Sequence, residues 1–327
     1  MALFAVEGPE DLLAVRFATS PLWETLAAVR TFVDGVPGEY HAPWHAAVAD
    51  RLARVDLAPL LATQPRRGYV PDFLTPPPSG PAPRLRDQLA ALRATPPAHV
   101  REELLRCRRD ARSPLDLEQL DALAADPERA LSVLADRLHD AWRELVAPFW
   151  PRVRALLDGD IDHHSRLLAR HGLGRLFDEL HPKIRWTERG VEVCGVDDDV
   201  VVELDERGLL LMPSAYIAPF VAPIVDEPWQ PAIVYPARGV AELWRRPSAP
   251  PEALARVLGA TRALLLATLD RPLSTTTLAA LTELSPAGVS RHVVALRDAG
   301  LLASTRRGHE VLYRRTPLGR ALVAGRV

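Results

Sequence analysis

The sequence predicts a mainly helical α+β protein, and its hydrophobic pattern supplies the evidence. Between residues 84 and 180, apolar residues recur at helical spacing. Between residues 184 and 212 the pattern changes to short β-rich runs separated by turn residues, and helical spacing returns in the last quarter of the chain. We therefore expect a helical body over residues 1–182, a small β-rich section over residues 183–246 and a separate C-terminal domain over residues 252–327.

Length and composition fit a soluble protein of two or three domains. The chain has 327 residues, of which 48% are hydrophobic, so it can bury sizeable cores. No apolar run is long enough to span a bilayer, and the first residues lack the basic segment of a secretory signal. We expect a cytoplasmic protein that makes no contact with membranes.

Proline and glycine divide the N-terminal body into separate helices. The pattern predicts helices over Pro21–Asp34 and Trp44–Leu57. A cluster of prolines excludes regular structure from residues 64–83. Because Tyr69 and Phe73 interrupt this cluster with large apolar groups, we expect an ordered surface loop, which could line a ligand pocket.

Asp160 and His164 are spaced four residues apart on a predicted helix, so both side chains can share one face. Two interpretations are open. The pair could contribute to a metal site, or it could belong to a polar, solvated helix face. No firm third ligand follows at helical spacing, and we therefore favour the solvated face and expect neither a metal nor a cofactor.

The β-rich runs over residues 184–212 predict an antiparallel meander, and Ala232–Tyr235 predicts a further strand. Three aromatic residues, Tyr216, Phe220 and Trp229, lie in the proline-punctuated stretch after the predicted meander. They are candidates for a small-molecule pocket, with ordinary core packing as the alternative.

The C-terminal region predicts a helix-turn-helix. Glu252–Leu269 has a broad apolar face and predicts a first helix. Thr275–Glu283 predicts a second helix, and Leu278 and Leu281 face the same core. Only Leu284, Ser285 and Pro286 separate it from the next helix, a connection short enough for this motif.

The helix after this turn has clear start and stop signals. Ser285 can cap it and Pro286 occupies the first helical position, where a missing N–H costs nothing. Val289, Val293 and Leu296 then recur on one face. Gly300 follows the end of the helix, where a left-handed residue is expected.

A hairpin follows the helix-turn-helix. Leu301–Arg306 and Glu310–Arg315 predict two strands, in which Val311 and Tyr313 point inward. Pro317–Ala324 predicts a short final helix. A helix-turn-helix with such a hairpin is a winged helix, so the predicted fold is a helical body with a small antiparallel sheet, followed by a C-terminal winged helix-turn-helix domain.

Charge is distributed unevenly along the chain. Residues 251–327 contain eleven arginines and no lysine against five acidic residues, a net charge of +6. The whole chain carries −2, so residues 1–250 carry −8. A basic C-terminal module on an acidic body indicates a DNA-binding domain joined to a part with another role.

The run Ser-Pro-Ala-Gly-Val-Ser-Arg-His-Val-Val-Ala-Leu-Arg-Asp-Ala-Gly-Leu-Leu, residues 285–302, resembles the recognition helix of ArsR/SmtB-type repressors. Residues 313–319, Tyr-Arg-Arg-Thr-Pro-Leu-Gly, resemble the exit from their wing. The resemblance covers about residues 251–327. The preceding region resembles an uncharacterised domain that is joined to such winged helices in actinobacterial regulators.

The resemblance implies a transcriptional regulator but does not carry over a metal site. Metal-responsive relatives hold thiolates on the first helix of the motif, or Asp and His on the C-terminal helix. Residues 275–281 and 317–323 contain no Cys, His, Asp or Glu. Cys107 and Cys194 both lie outside the winged helix. We expect any effector to be a small molecule that binds the N-terminal body.

These features predict a cytoplasmic repressor that binds double-stranded DNA as a homodimer at a near-palindromic operator. In this prediction the N-terminal body mediates dimerisation and is also where a small-molecule effector, if there is one, binds. Two alternatives remain open: an enzyme with an accessory winged helix, and a winged helix that binds protein. No nucleophile–base or metal constellation favours the enzyme. The residues expected to contact DNA lie on the two helices of the motif and on the wing: Thr275, Ser285, Ala287, Gly288, Ser290, Arg291, His292, Arg297, Arg306, Arg307 and His309.

Overall fold

The computed structural model describes residues 1–6, 8–34, 40–195, 199–205, 207–244, 252–269, 272–282, 284–307 and 310–324. The chain forms two compact units. The first unit comprises residues 1–148 and 160–240, and the second unit comprises residues 149–159 and 241–327. The predicted fold class, mainly helical α+β with small sheets and a C-terminal helix-turn-helix, is confirmed.

Helices α1–α9 precede the main run of strands. They span Pro9–Leu13, Pro21–Arg30, Ala42–Leu52, Ala58–Ala62, Leu85–Arg93, Pro97–Cys107, Pro114–Ala125, Pro127–Ala141 and Trp150–Leu180. A π-helical turn at Trp142–Val146 and a 3₁₀ turn at Ala147–Phe149 separate α8 from α9. Residues 149–159 group with the second unit, and Gly172 interrupts α9 with a left-handed φ of 79°. Each helix in the described part of the chain is too short or too polar to span a bilayer.

The first unit contains two four-stranded sheets. The strands β1–β8 span Ala2–Ala5, Arg16–Phe17, Ile184–Thr187, Gly190–Val193, Val200–Glu203, Leu210–Ser214, Ala222–Ile224 and Ala232–Pro236. One sheet has the order β3-β4-β1-β5 and the other β2-β6-β8-β7. In the second of these sheets, β2, β6 and β8 are parallel and β7 is antiparallel to β8.

The predicted meander is therefore wrong in its pairing. Among the described residues of this stretch, only β3 and β4 form the expected antiparallel hairpin. The N-terminal strand β1 inserts between β4 and β5 and runs parallel to β5, whereas β6 joins the other sheet. Strand periodicity indicates which residues are extended, but a partner almost two hundred residues away leaves no local signal.

Alternating side chains of β6 explain how the second sheet is covered on both faces. Leu211 packs with Phe4 and Phe177 in a core that includes strands of both sheets and the C-terminal part of α9. Leu210 and Met212 point to the opposite face and pack with Ala18 and other apolar residues. Because a strand turns successive side chains to opposite faces, a run of consecutive buried residues indicates a strand with a hydrophobic core against each face of its sheet.

Asp160 and His164 share a helix face, as their spacing predicts, but that face is not solvated. Asp160 is 2% exposed and His164 is fully buried. The Asp160 carboxylate accepts hydrogen bonds from the Tyr235 hydroxyl at 2.8 Å and the Arg238 N–H at 2.9 Å. His164 Nδ1 lies 3.0 Å from Asp160 Oδ2. A buried carboxylate is stable here because each oxygen is bonded, and Tyr235 and Arg238 are too distant in sequence for a local pattern to indicate them.

Glu24 is a second buried carboxyl, in the first turn of α2. It is 1% exposed, and its Oε2 accepts a hydrogen bond from the Ala215 N–H at 2.9 Å. Burial raises the pKa of Glu24 to about 7, although hydrogen bonds from Ser214 and the backbone after β6 oppose the shift. The group therefore ionises near neutral pH inside the first unit.

We expect Glu24→Gln to stabilise the protein at pH 8 but not at pH 4.5. The raised pKa means that the folded state holds the Glu24 proton more tightly than the unfolded state, whose ordinary pKa is 4.5. This contribution is complete below pH 4.5 and is lost as pH rises to about 7, a loss of roughly 3 kcal/mol. Thermal melts at both pH values measure it, with the exposed Glu118→Gln as the matched control. A gain that is equal at both pH values would contradict it.

Candidate nucleic-acid interface

The second unit contains the predicted winged helix. Helices α10–α15 span Val240–Leu243, Glu252–Leu258, Ala260–Thr268, Thr275–Thr282, Pro286–Asp298 and Pro317–Val323. All of their residues except Val240 belong to this unit. Its strands β9–β11 span Leu273–Ser274, Leu302–Arg307 and Glu310–Arg315 and form a sheet of order β10-β11-β9. The strand β9 is too short for its pairing with β11 to leave a pattern in the sequence.

The single helix predicted over Glu252–Leu269 is divided in two. Gly259 adopts a left-handed φ of 82° and separates α11 from α12. Glycine tolerates this conformation without a steric penalty, and here it ends one helix rather than continuing it. The continuous apolar pattern across Gly259 arises because residues of both helices, Leu254 and Leu265 among them, are buried.

Helix α14 is fixed at its start by a side-chain cap and along its length by the core. Ser285 Oγ accepts the Gly288 N–H at 3.2 Å, and Pro286 occupies the first helical position, as predicted. Val289 and Val293 are fully buried, and Leu296 packs in the same core. Burying this face turns the opposite face of α14 outward, with its start anchored.

The outward face of α14 carries small and polar residues near its N-terminus. Ala287, Ser290 and Arg291 are exposed, and Gly288 and His292 are half-buried. A Cβ atom added at Gly288 would lie 3.0 Å from Ser285 Oγ, so the glycine keeps the capped turn uncrowded. Small residues around one exposed guanidinium and one hydroxyl leave room for a base edge to approach.

Helix α13 precedes α14 along the chain, as the sequence predicts, and packs in the same core. Ser274 Oγ accepts the Thr277 N–H at 3.2 Å, and Leu278 is buried between the helices of this unit. The Leu284 N–H bonds to the Ala279 carbonyl at 3.2 Å and closes the turn between α13 and α14. Thr275, an expected DNA contact, begins α13 and is half-buried.

The wing is a six-residue antiparallel ladder between β10 and β11. Tyr313 points into the core as predicted, but the inward placement predicted for Val311 is wrong, because 41% of its surface is exposed. Val311 pairs with Arg306 near the tip of the hairpin, whereas Tyr313 lies nearer the helices. Arg306 is exposed. The Arg307 side chain and His309 lie outside the described residues.

Arg297 occupies the far end of α14 from the capped turn. Its guanidinium is exposed and lies 2.9 Å from the carboxylate of Asp298. An exposed neighbouring pair of this kind is weak and exchanges readily with solvent. A phosphate could therefore replace Asp298 as the partner of Arg297, whereas the start of α14 offers the groups suited to base edges.

The aromatic residues considered for a pocket in the first unit have separate environments. Tyr216 is buried, and its ring centroid lies 4.9 Å from that of Trp44. Trp229 donates to Glu103 at 3.2 Å, whereas Phe220 is 62% exposed. Within the described ranges, no group of three or more His, Cys, Asp or Glu residues could hold a metal ion.

A capped, exposed helix on a helix-turn-helix, followed by a basic hairpin, defines the winged-helix class of DNA-binding domains. Residues 260–305 match a family described as a helix-turn-helix domain, one that includes ArsR-type regulators. Residues 88–241 match a family described as a family of unknown function, DUF5937. No curated protein and no solved structure matches the chain. The helix-turn-helix match indicates a DNA-binding regulator.

Proposed function

We propose that this protein is a transcriptional repressor that reads a near-palindromic operator as a homodimer, with α14 in the major groove and the wing against the backbone. The exposed N-terminal face of α14 carries the proposal. Its cap and its buried side fix the helix, while Ser290, Arg291 and His292 remain available to base edges. The net charge of +6 over residues 251–327 supplies attraction to phosphates.

Selection from a pool of random-sequence duplexes tests the proposal and identifies the operator in the same experiment. The full chain is expected to enrich a short motif in two inverted copies, since a two-fold dimer presents two recognition helices. Enrichment of no motif would contradict it. Arg291→Ala serves as the comparison variant in the same selection and is expected to relax the motif at the base that Arg291 contacts.

The wing should contribute affinity without sequence preference. We expect Arg306→Ala to weaken binding to specific and unrelated duplexes alike, and to reduce the slope of log affinity against log salt by about one for each subunit. Fluorescence anisotropy at several salt concentrations measures this slope. A loss confined to the specific duplex would instead make Arg306 a reader of bases.

Dimerisation is a separate expectation. One winged helix covers too little DNA for specificity in a genome, so we expect a dimer at micromolar concentration by light scattering. The proposed contacts are the split helix α11–α12 and the helical N-terminal body, and Val257 on α11 is largely exposed. We expect Val257→Glu to shift the protein toward monomer and Val311→Glu, on the wing, to leave the dimer intact. A monomeric wild-type protein, free and on DNA, would contradict this.

We further propose that an effector of this repressor would be a small molecule held by the N-terminal body, and that no metal is sensed. To act, the effector must bind two arrangements of the dimer with different affinities. Release of DNA by stoichiometric zinc, cadmium or arsenite, and its reversal by chelator, would overturn the second part of this proposal.

A further inference from the structure

A patch of positive charge lies on the first unit, far in sequence from the winged helix. His163, Arg166, Arg170 and His171 line a shallow pocket around Leu167 on α9. Arg238, which follows β8, lies near enough to His163 to lower its pKa. These four lining residues and Arg238 are named the α9 basic patch. All of it belongs to the first unit, whose part of the sequence is rich in acidic residues.

The arginines of this patch are not neutralised by the protein. In the part of the chain that the structure describes, the side chains of Arg166, Arg170 and Arg238 make no ion pair and no hydrogen bond. By contrast, Arg175 on the same helix pairs with Glu179. Arg166 and Arg170 are four residues apart on a helix, and like charges at this spacing destabilise it. Asp162 lies four residues before Arg166, a spacing that favours opposite charges, but in the described part of the chain the two make no ion pair. The two arginines therefore have no carboxylate bonded to them there.

The helix dipole favours cations near a helix C-terminus, but this effect explains only some of the basic residues in the patch. Helical geometry stops at Gly172, so Arg170 and His171 lie in the last turn, where cations are favourable. His163 and Arg166 lie outside that turn, where the effect has decayed. Arg238 comes from another segment of the chain altogether. The end of the helix gives no reason for three guanidinium groups and two imidazoles to gather here.

A buried contact holds the two segments of the patch together. Asp160 Oδ1 accepts the Arg238 N–H at 2.9 Å, one helical turn before His163. The backbone of Arg238 is thereby fixed beside α9. Burial lowers the pKa of His163, and Arg238, His164 and Arg166 lower it further, while Asp160 acts in the opposite direction. Burial is the largest cause of the lowered pKa of His163, and the cationic neighbours add to it although Asp160 opposes them.

We propose that the α9 basic patch binds the phosphate group of a small soluble ligand. Guanidinium groups match phosphate oxygens through paired N–H donors, and imidazoles add further donors when protonated. A doubly charged phosphate would remove the repulsion between Arg166 and Arg170. The site uses no residue of the winged helix, so it goes beyond the proposed function and can be tested separately from it.

Binding should be linked to proton uptake. A phosphate beside His163 would offset the cationic neighbours that lower its pKa and would favour the imidazolium form. Because a phosphate also takes up protons in this range, the effect of His163 is the difference between the wild type and H163Q. Between pH 8 and 6 the affinity of the wild type should rise relative to that of H163Q. If only the arginines bound the phosphate, the two proteins would show the same pH dependence, which would contradict a contact with His163.

Isothermal titration of the full-length protein with pyrophosphate at low salt is the direct test. We expect saturable binding at one site per chain and a loss of about tenfold or more in R166Q/R170Q. The matched control R175Q, on the same helix, should bind as the wild type does. Titration at pH 7 in two buffers of different ionisation enthalpy should show proton uptake that H163Q reduces.

Two results would overturn the proposal: no saturable binding of pyrophosphate, or equal binding by R166Q/R170Q and the wild type. Failure of pyrophosphate together with a shallower salt slope for DNA in the double variant would assign the patch to the DNA backbone instead. Thermal melting separates a structural role. Without ligand, the double variant should melt close to the wild-type temperature, since relief of the repulsion offsets the loss of a cation in the last helical turn. A marked drop would count against the proposal.

Discussion

Arg291→Ala is expected to weaken binding to the selected operator by about 1–3 kcal/mol, or roughly 5- to 150-fold in Kd. Arg291 is the exposed guanidinium near the N-terminus of α14, and its paired donors match O6 and N7 of guanine. Its side chain points away from the buried face formed by Val289 and Val293, so folding should be unaffected. Anisotropy titrations with operator and unrelated duplexes measure the effect.

The control must separate base reading from loss of charge. Arg262→Ala removes the same charge from an exposed position of α12 and should cost little specificity. Arg291→Lys retains the charge but loses the planar fork, and we expect an operator affinity between those of the wild type and Arg291→Ala. Unchanged operator affinity in Arg291→Ala would show that α14 is not the recognition helix.

Asp160→Ala is expected to lower the free energy of unfolding by about 3–5 kcal/mol, the largest loss of stability expected among the substitutions considered. The substitution leaves the Tyr235 hydroxyl, the Arg238 N–H and His164 without their common buried partner. Buried polar groups that lose a partner retain the cost of desolvation without the bond that offset it. Urea denaturation followed by circular dichroism gives this quantity.

Two further variants define what the Asp160 experiment measures. Tyr235→Phe removes one of the three bonds and should cost about 1 kcal/mol. Asp50→Ala, at an exposed position of α3, removes an Asp without a buried network and should stay within about 0.5 kcal/mol. If Asp160→Ala behaved like Asp50→Ala, the network would not stabilise the first unit.

The winged helix could be predicted because its signals are local. Ser285 and Pro286 mark the start of α14, Val289 and Val293 mark its buried side, and Gly300 marks its end with a left-handed φ of 73°. Each signal depends on residues within a few positions of one another. The one error in its helices, at Gly259, arose because the apolar pattern continues across the break.

The first unit was less predictable because its contacts are distant in sequence. Asp160 is 75 residues from Tyr235, and without that partner a carboxylate on a helix is expected to face water. The pairing of Leu3 with Val201 likewise joins strands that no short pattern connects. Of the residues expected to contact DNA, those on α14 could be assigned to one face because the buried Val289 and Val293 mark the opposite face.

A gel-shift titration of the full-length protein on the DNA upstream of its own gene tests the central claim most directly. We expect a discrete complex at about 10⁻⁸ M or below at physiological salt, resistant to excess unrelated duplex and weakened roughly 5- to 150-fold in Arg291→Ala. The complex should weaken steeply with added salt as phosphate contacts are screened. If selection instead identified another duplex that binds specifically, the operator would lie elsewhere, and the claim that the protein binds a specific DNA sequence would stand. The absence of any duplex that survives unrelated competitor would contradict it.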